Sequence, residues 1–231
     1  MKTNLSEIIF ILDRSGSMSG LESDTIGGYN AFLKRQRSEP GDARITTILF
    51  DDRYELLHNG LDIRTTQPIT GQDYFTRGST ALLDAVGTAI HQVDLRLSKS
   101  AESEKPAKVI FVITTDGLEN SSKEYTYQMI HNLITRRREQ DHWDFIFLGA
   151  NIDAEGTAEN MGIKRDFAVN YSADSIGTAM MFESMQENVS RLRKSDELDD
   201  NWKKKLTSKK TEQKVEDLLR PSDGGKKAES E

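Results

Sequence analysis

The chain contains no cysteine. Disulfides, cysteine-based zinc sites and a thiolate nucleophile are thereby excluded, and the absence fits a reducing compartment. Long apolar runs are missing as well: no segment approaches the ~18–20 residues that a membrane-spanning helix needs. The N-terminal stretch MKTNLSEIIFILDRSGS holds one short apolar run, Ile8 to Leu12, bracketed by Glu7 and Asp13. That pattern argues against a signal peptide, so cytoplasmic residence without membrane contact is expected. There is no surplus of positive charge. The net charge of −7 argues against nucleic acid as a partner. From Arg191 onward there are 12 Lys/Arg and 10 Asp/Glu, whereas the first 190 residues carry 19 and 28, a net −9. An acidic body attracts cations and disfavours polyanions.

What is present suffices for one core. Of 231 residues, 35% are hydrophobic and 30% charged, which fits an α/β domain plus an extension. Three short runs are continuously apolar, rich in β-branched and aromatic types, and end in a polar turn: Ile8–Leu12, Val109–Thr115 and Phe145–Leu148. Runs without alternation predict strands buried on both faces, as in a parallel sheet. Ile45–Phe50 and Tyr54–His58, separated by Asp51-Asp52-Arg53, predict a hairpin. Ala81, Leu82, Ala85, Val86, Ala89, Ile90, Val93 and Leu97 keep a helical rhythm, and Met129, Leu133 and Ile134 keep a weaker one. Ala168–Tyr171 predicts a last strand. Met180, Met181, Met185, Val189 and Leu192 predict a final amphipathic helix over Ile176–Leu192. The expected order is strand, helix, hairpin, helix, strand, helix, strand, helix, strand, helix. This is a three-layer, doubly wound, mostly parallel sheet with one antiparallel edge strand and helices on both faces. The domain is expected over 1–193. A charged extension over 194–231, partly helical or disordered, has Trp202 and Leu218-Leu219 as isolated apolar points.

One constellation carries chemistry. Asp13-Arg14-Ser15-Gly16-Ser17 follows the first strand and Asp116-Gly117 follows another. In an open parallel sheet, sites form outside the carboxyl ends of the strands. Two carboxylates converging there repel one another, and a cation relieves that repulsion. Ser15 and Ser17 alternate along the loop, and Gly16 lets it turn between them. Gly78-Ser79-Thr80 opens the apolar helix, where the Thr80 hydroxyl can cap the helix or turn to the ion. The proposed ligands are all oxygens, which select hard cations. With few carboxylates in a small site, Mg²⁺ is favoured, with Mn²⁺ or Ca²⁺ able to occupy the same oxygens.

Each residue also has a plainer role. Thr80 can be an N-cap, Asp116 an Asp-Gly turn, and Asp51-Asp52 simply the hairpin. Asp84 is expected to stabilise its helix start or bond the metal loops. Glu119 and Asn120 read as a solvated loop, and Asn151 and Asp153 lie on the same rim. His58, His91, His131 and His142 lack ligand spacing. Arg136-Arg137-Arg138 reads as a solvated face at a helix end. Lys203-Lys204-Lys205 with Lys209-Lys210 reads as a solvated tail.

Asp13-x-Ser15-x-Ser17 after a buried strand, Thr80 in GSTALLDA and Asp116 in ITTDG resemble the metal-ion-dependent adhesion site of von Willebrand factor A domains over about residues 5–193. FILDRSGSM, GSTALLDAV and TTDGLENSS resemble the intracellular bacterial and phage branch more than the secreted adhesion branch. The resemblance implies a Rossmann-like fold in which Ser15, Ser17 and Thr80 bind the metal directly. It also implies that Asp13 and Asp116 act largely through coordinated waters. One coordination position would then accept a Glu or Asp from a protein partner, and the final helix is the element that shifts when related domains switch state.

Three functions compete. The first is a metal-dependent protein-interaction module. The second is a regulatory subunit of an ATPase, chelatase or stress-response complex, which the sequence does not separate from the first. The third is a Mg²⁺-dependent phosphatase-like hydrolase of the haloacid-dehalogenase type. That chemistry wants a second Asp at position 15, which is Ser. No GxxxxGK[ST] is present, and no His is placed to activate a serine. A non-enzymatic module is therefore expected.

Overall fold

The computed structural model describes residues 2–194 and 202–203. The order of strands and helices is the expected one. It runs β1 (Lys2–Asp13), α1 (Glu22–Ser38), β2 (Asp42–Phe50), β3 (Tyr54–Asp62), α2 (Leu82–Lys99), β4 (Pro106–Thr115) and α3 (Tyr127–Gln140). It continues with β5 (Asp144–Ala150), α4 (Ala154–Asn160), β6 (Ala168–Tyr171) and α5 (Ser175–Leu192). The strands form one sheet in the order β3-β2-β1-β4-β5-β6, and only the β2–β3 pairing is antiparallel.

Because successive side chains of a strand point to opposite faces, the apolar run of β1 feeds two cores. Ile8, Phe10 and Leu12 face α1 and α5, whereas Ile9 and Ile11 face α2, α3 and α4. Every one of these five is fully buried. Each contributes roughly 1.5–3 kcal/mol of burial free energy. Phe10 sits at the centre of the first core, 5.4 Å edge-on from the rings of both Tyr29 and Phe32. Gly28 lets α1 approach α5: a Cβ there would lie 2.1 Å from the Phe182 ring. The methionines of α5 fill this core, with Met185 wholly buried.

The strands run longer than their apolar cores suggested. Glu7, which brackets the first run, lies inside β1 and is wholly buried. Arg96 donates to it at 2.7 and 3.2 Å and the Thr46 hydroxyl at 3.1 Å. An ion pair thus substitutes for an apolar residue, which hydropathy alone does not register.

Apart from Lys194, Trp202 and Lys203, the charged extension lies outside the described residues, including Leu218-Leu219 and the rest of the basic cluster. Trp202 is not an isolated point: it is 3% exposed, joins the α1/α5 core, and donates from its indole to the Asp166 carbonyl at 2.7 Å. Lys203 pairs with Glu155 at 2.7 Å. Among the described residues, no helix is long and apolar enough to cross a membrane.

Candidate metal centre

The sheet reverses its winding at β1, which has β2 on one side and β4 on the other. Leu12 pairs with Thr114, so Asp13 and the Thr115-Asp116 pair end their strands side by side. A crevice at such a switch point is where open α/β sheets bind ligands.

Three loops meet there. Asp13 is wholly buried. Its Oδ1 accepts from the Ser15 amide at 2.7 Å and its Oδ2 from the Thr115 hydroxyl at 2.6 Å. The hydroxyls of Ser15 and Ser17 stand 3.2 Å apart, and Ser17 donates to Asp116 Oδ1 at 2.5 Å. A Cβ added at Gly117 would lie 3.2 Å from both Ser17 Oγ and Thr80 Oγ1, so these two hydroxyls converge on one bare stretch of backbone. The third loop is tied in by the Gly16 amide donating to the Gly78 carbonyl at 3.1 Å. Asn120 clamps Thr80: its Oδ1 accepts from the Thr80 amide at 2.9 Å, and its own amide donates to the Thr80 carbonyl at 3.1 Å. Asp13, Ser15, Ser17, Thr80 and Asp116 are thus brought together, with Ser17 on the solvent side.

The Thr80 hydroxyl does not cap α2. That helix has Ala81 at its N-cap with no side-chain cap bond. Its free amides are satisfied from the β4–α3 loop, where Glu119 accepts from Leu83 N and Ser122 Oγ from Asp84 N, both at 3.0 Å. Capping by a neighbouring loop releases the hydroxyl.

The electrostatics are those of an acceptor-rich pocket. Burial pushes the Asp13 carboxyl up to about 6, bonds from Thr115 and Ser15 oppose the shift, and the charge of Asp116 adds to it. Burial raises Asp116 too, against the bond from Ser17. Asp116 Oδ2 is buried with no hydrogen-bond partner. Among the described residues, no group of three or more His, Asp or Glu could hold a metal. The donor set here is two carboxylates and three hydroxyls. Hard oxygens around an unpaired, desolvated carboxylate oxygen fit a divalent cation that keeps part of its hydration shell.

Several supporting residues escaped the sequence reading. Arg14, the variable residue of the Asp13-x-Ser15 stretch, is wholly buried. It donates to Asp51 Oδ2 at 2.9 Å and to Glu55 Oε2 at 2.7 Å. Asp51 does make the hairpin, accepting from the Arg53 amide at 2.8 Å, but it also receives Arg77 at 2.7 Å. Burial works to raise the Asp51 carboxyl, yet bonds from Arg77, Arg53 and Arg14 together hold it below its usual range. Two adjacent acids, Asp51-Asp52, closing an apolar run were the available signal. Asp84 bonds the β4–α3 loop as expected, accepting from the amides of Lys123, Glu124 and Tyr125 at 2.8–2.9 Å. Glu119 is a capping group rather than a solvated one. Asp153 caps α4 through the Gly156 amide at 3.0 Å. Arg137 bridges Asp94 and Asp141 and lies over Trp143, so that basic run is not wholly solvated. His58 is buried against the Thr47 hydroxyl, and His91 meets the Tyr125 hydroxyl.

No protein-family model matches the sequence, and no curated protein matches it. Solved structures do resemble it. One is proximal thread matrix protein 1 from the mussel byssus with a zinc-occupied MIDAS motif, at TM-score 0.56 and 15% identity, covering 81% of this chain and 46% of that one. Another is the von Willebrand factor domain of the type V pili tip protein Mfa5 from Porphyromonas gingivalis, at TM-score 0.56 and 9% identity, covering 87% and 99%. A third is a von Willebrand factor type A protein from Catenulispora acidiphila, at TM-score 0.53 and 14% identity, covering 81% and 43%. This chain spans less than half the length of the mussel protein. Sheet order, helix placement and these likenesses agree: the chain has the fold of a von Willebrand factor type A domain.

Proposed function

We propose that residues 1–193 form a metal-dependent protein-interaction module. Its site of Asp13, Ser15, Ser17, Thr80 and Asp116 would hold a divalent cation, Mg²⁺ before Mn²⁺ or Ca²⁺. The ion would take up a Glu or Asp side chain of a protein partner, the chemistry being Lewis-acid attraction of a carboxylate. The observation that carries this reading is the buried, unpartnered Oδ2 of Asp116 beside a second buried carboxylate and three hydroxyl oxygens. The zinc-occupied MIDAS motif of the mussel protein supports a divalent cation in such a fold. The residues of this chain do the positioning: Thr115 and the Ser15 amide orient Asp13, Ser17 orients Asp116, and Asn120 holds the Thr80 backbone. No general base is required, and the site is non-catalytic in this reading.

Calorimetric titration of MgCl₂ into chelator-stripped protein tests the metal. Binding is expected in the native chain and absent in Asp13→Ala, with an unchanged circular dichroism spectrum. Pull-downs in Mg²⁺ and in excess EDTA test the carboxylate. A partner retained equally well in EDTA overturns docking through the ion.

A further inference from the structure

On the α1/α5 side of the sheet, next to the metal loops, a buried hydroxyl stands that ligation does not use. Tyr171, at the end of β6, is 8% exposed, and its hydroxyl is buried with no hydrogen-bond partner. Leaving such a group unpaired costs on the order of 1–3 kcal/mol. A phenylalanine would fill the same volume without that cost, so the hydroxyl calls for a reason.

The sheet register supplies one. Tyr171 pairs with Ala150 of β5. Thr115 pairs with Gly149, so Asp116, one residue further on, continues the row that contains Ala150 and Tyr171. Strands lie ~4.8 Å apart, which puts the backbones of Asp116 and Tyr171 about 10 Å from each other. Ala150 holds the place between them in that row and faces the same core as Tyr171. The two orphaned atoms do not bond to each other, so a link between them passes through a third group. The surroundings agree: burial raises the Tyr171 phenol, and the charges of Asp116 and then Asp13 raise it further. Tyr74, whose hydroxyl donates to the Asp13 carbonyl at 2.6 Å, feels Asp13, Tyr171 and Asp116 in turn.

We propose that Tyr171 is a positioning residue for Asp116. Its hydroxyl holds a bridging water that also reaches the otherwise unpartnered Oδ2, while Ser17 holds Oδ1. Each end of the carboxylate then has its own neutral donor. Two donors set the plane of the group, and the second lone pair of each oxygen stays free for the ion. Tyr171 itself touches no metal. The inference rests on the metal-site reading for its purpose, but the Tyr171–Asp116 link is testable without metal.

The test uses the full chain and Tyr171→Phe, which removes one oxygen and keeps the ring. In EDTA, thermal unfolding is compared in the native and Asp116→Ala backgrounds. Tyr171→Phe is expected to lower the melting temperature when Asp116 is present, and to raise it or leave it unchanged when Asp116 is alanine. A rise of equal size in both backgrounds overturns the proposal, because the hydroxyl is then merely unpaired. With MgCl₂, Tyr171→Phe is expected to weaken binding about tenfold, as supporting groups around metal ligands do. Coupling in EDTA with no Mg²⁺ binding by the native chain rejects the metal site and retains the Tyr171–Asp116 link. Mg²⁺ binding without coupling rejects the link alone.

Discussion

Arg14 is wholly buried and donates from Nε to Asp51 Oδ2 at 2.9 Å. The bond ties the loop after β1 to the turn of the β2–β3 hairpin, and the Arg14 amide reinforces it by donating to the Phe50 carbonyl at 2.8 Å. Removing one partner of a buried ion pair leaves the other desolvated and uncompensated. Arg14→Leu is therefore expected to destabilise the protein by about 3 kcal/mol, read by urea unfolding. A variant within 1 kcal/mol of the native chain, on the order of the cost of an exposed pair, would show that Arg77 alone satisfies Asp51.

Gly117 is the bare backbone on which Ser17 and Thr80 converge. A methyl there meets both hydroxyl oxygens at 3.2 Å, tighter than comfortable packing, so the hydroxyls must give way. Gly117→Ala is expected to weaken Mg²⁺ binding by roughly tenfold while changing unfolding by no more than about 1 kcal/mol, the scale of a Gly-to-Ala change at a compatible backbone. Titration calorimetry beside thermal unfolding separates the two effects, and unaltered affinity would remove these hydroxyls from the ligand set.

His58 gives a pH dependence of defined sign. Burial holds the imidazole below its ordinary 6.5, partly offset by the charge of Asp73. The unfolded chain therefore takes up the proton first as pH falls. The stability owed to neutral His58 is complete above 6.5 and is lost as pH falls through the lowered folded value. Between pH 7 and 5 the native chain should lose stability more steeply than His58→Gln. Parallel unfolding curves over that interval would mean that the ring titrates alike in both states.

Trp202 bears on where the domain ends. Its side chain is buried in the α1/α5 core with an indole bond to Asp166. Trp202→Ala is expected to cost about 3 kcal/mol, and a chain ending at residue 193 should lose a similar amount. Equal stability of the full and shortened chains would confine the folded unit to residues 1–193.

The proposed metal constellation rests on local signals. Asp13, Ser15 and Ser17 lie within five residues, and Asp116 and Thr80 each adjoin a long apolar stretch. Apolar runs likewise marked the strands, and helical rhythm marked α2, α3 and α5, whereas α1 and α4 entered only as places in the expected order. The ends were less legible, as β1 shows. Glu7 is buried by Arg96, 89 residues away, and a charged residue in a strand reads as a boundary until its partner is known.

The sequence by itself determined the alternation of strands and helices and pointed to the five oxygen-bearing residues of the proposed site, since both follow from the character of near neighbours. Only the tertiary structure decided that β1 lies against β4, so that Asp13 and Asp116 meet, and that Glu119 rather than Thr80 caps α2. It also buried Arg14 against Asp51 and put Tyr171 in the same row as Asp116. The reason is physical. Periodicity specifies which face of an element is apolar. Strand order and side-chain pairing arise from packing between segments tens of residues apart, where a lone polar residue carries no local mark of the partner that will satisfy it.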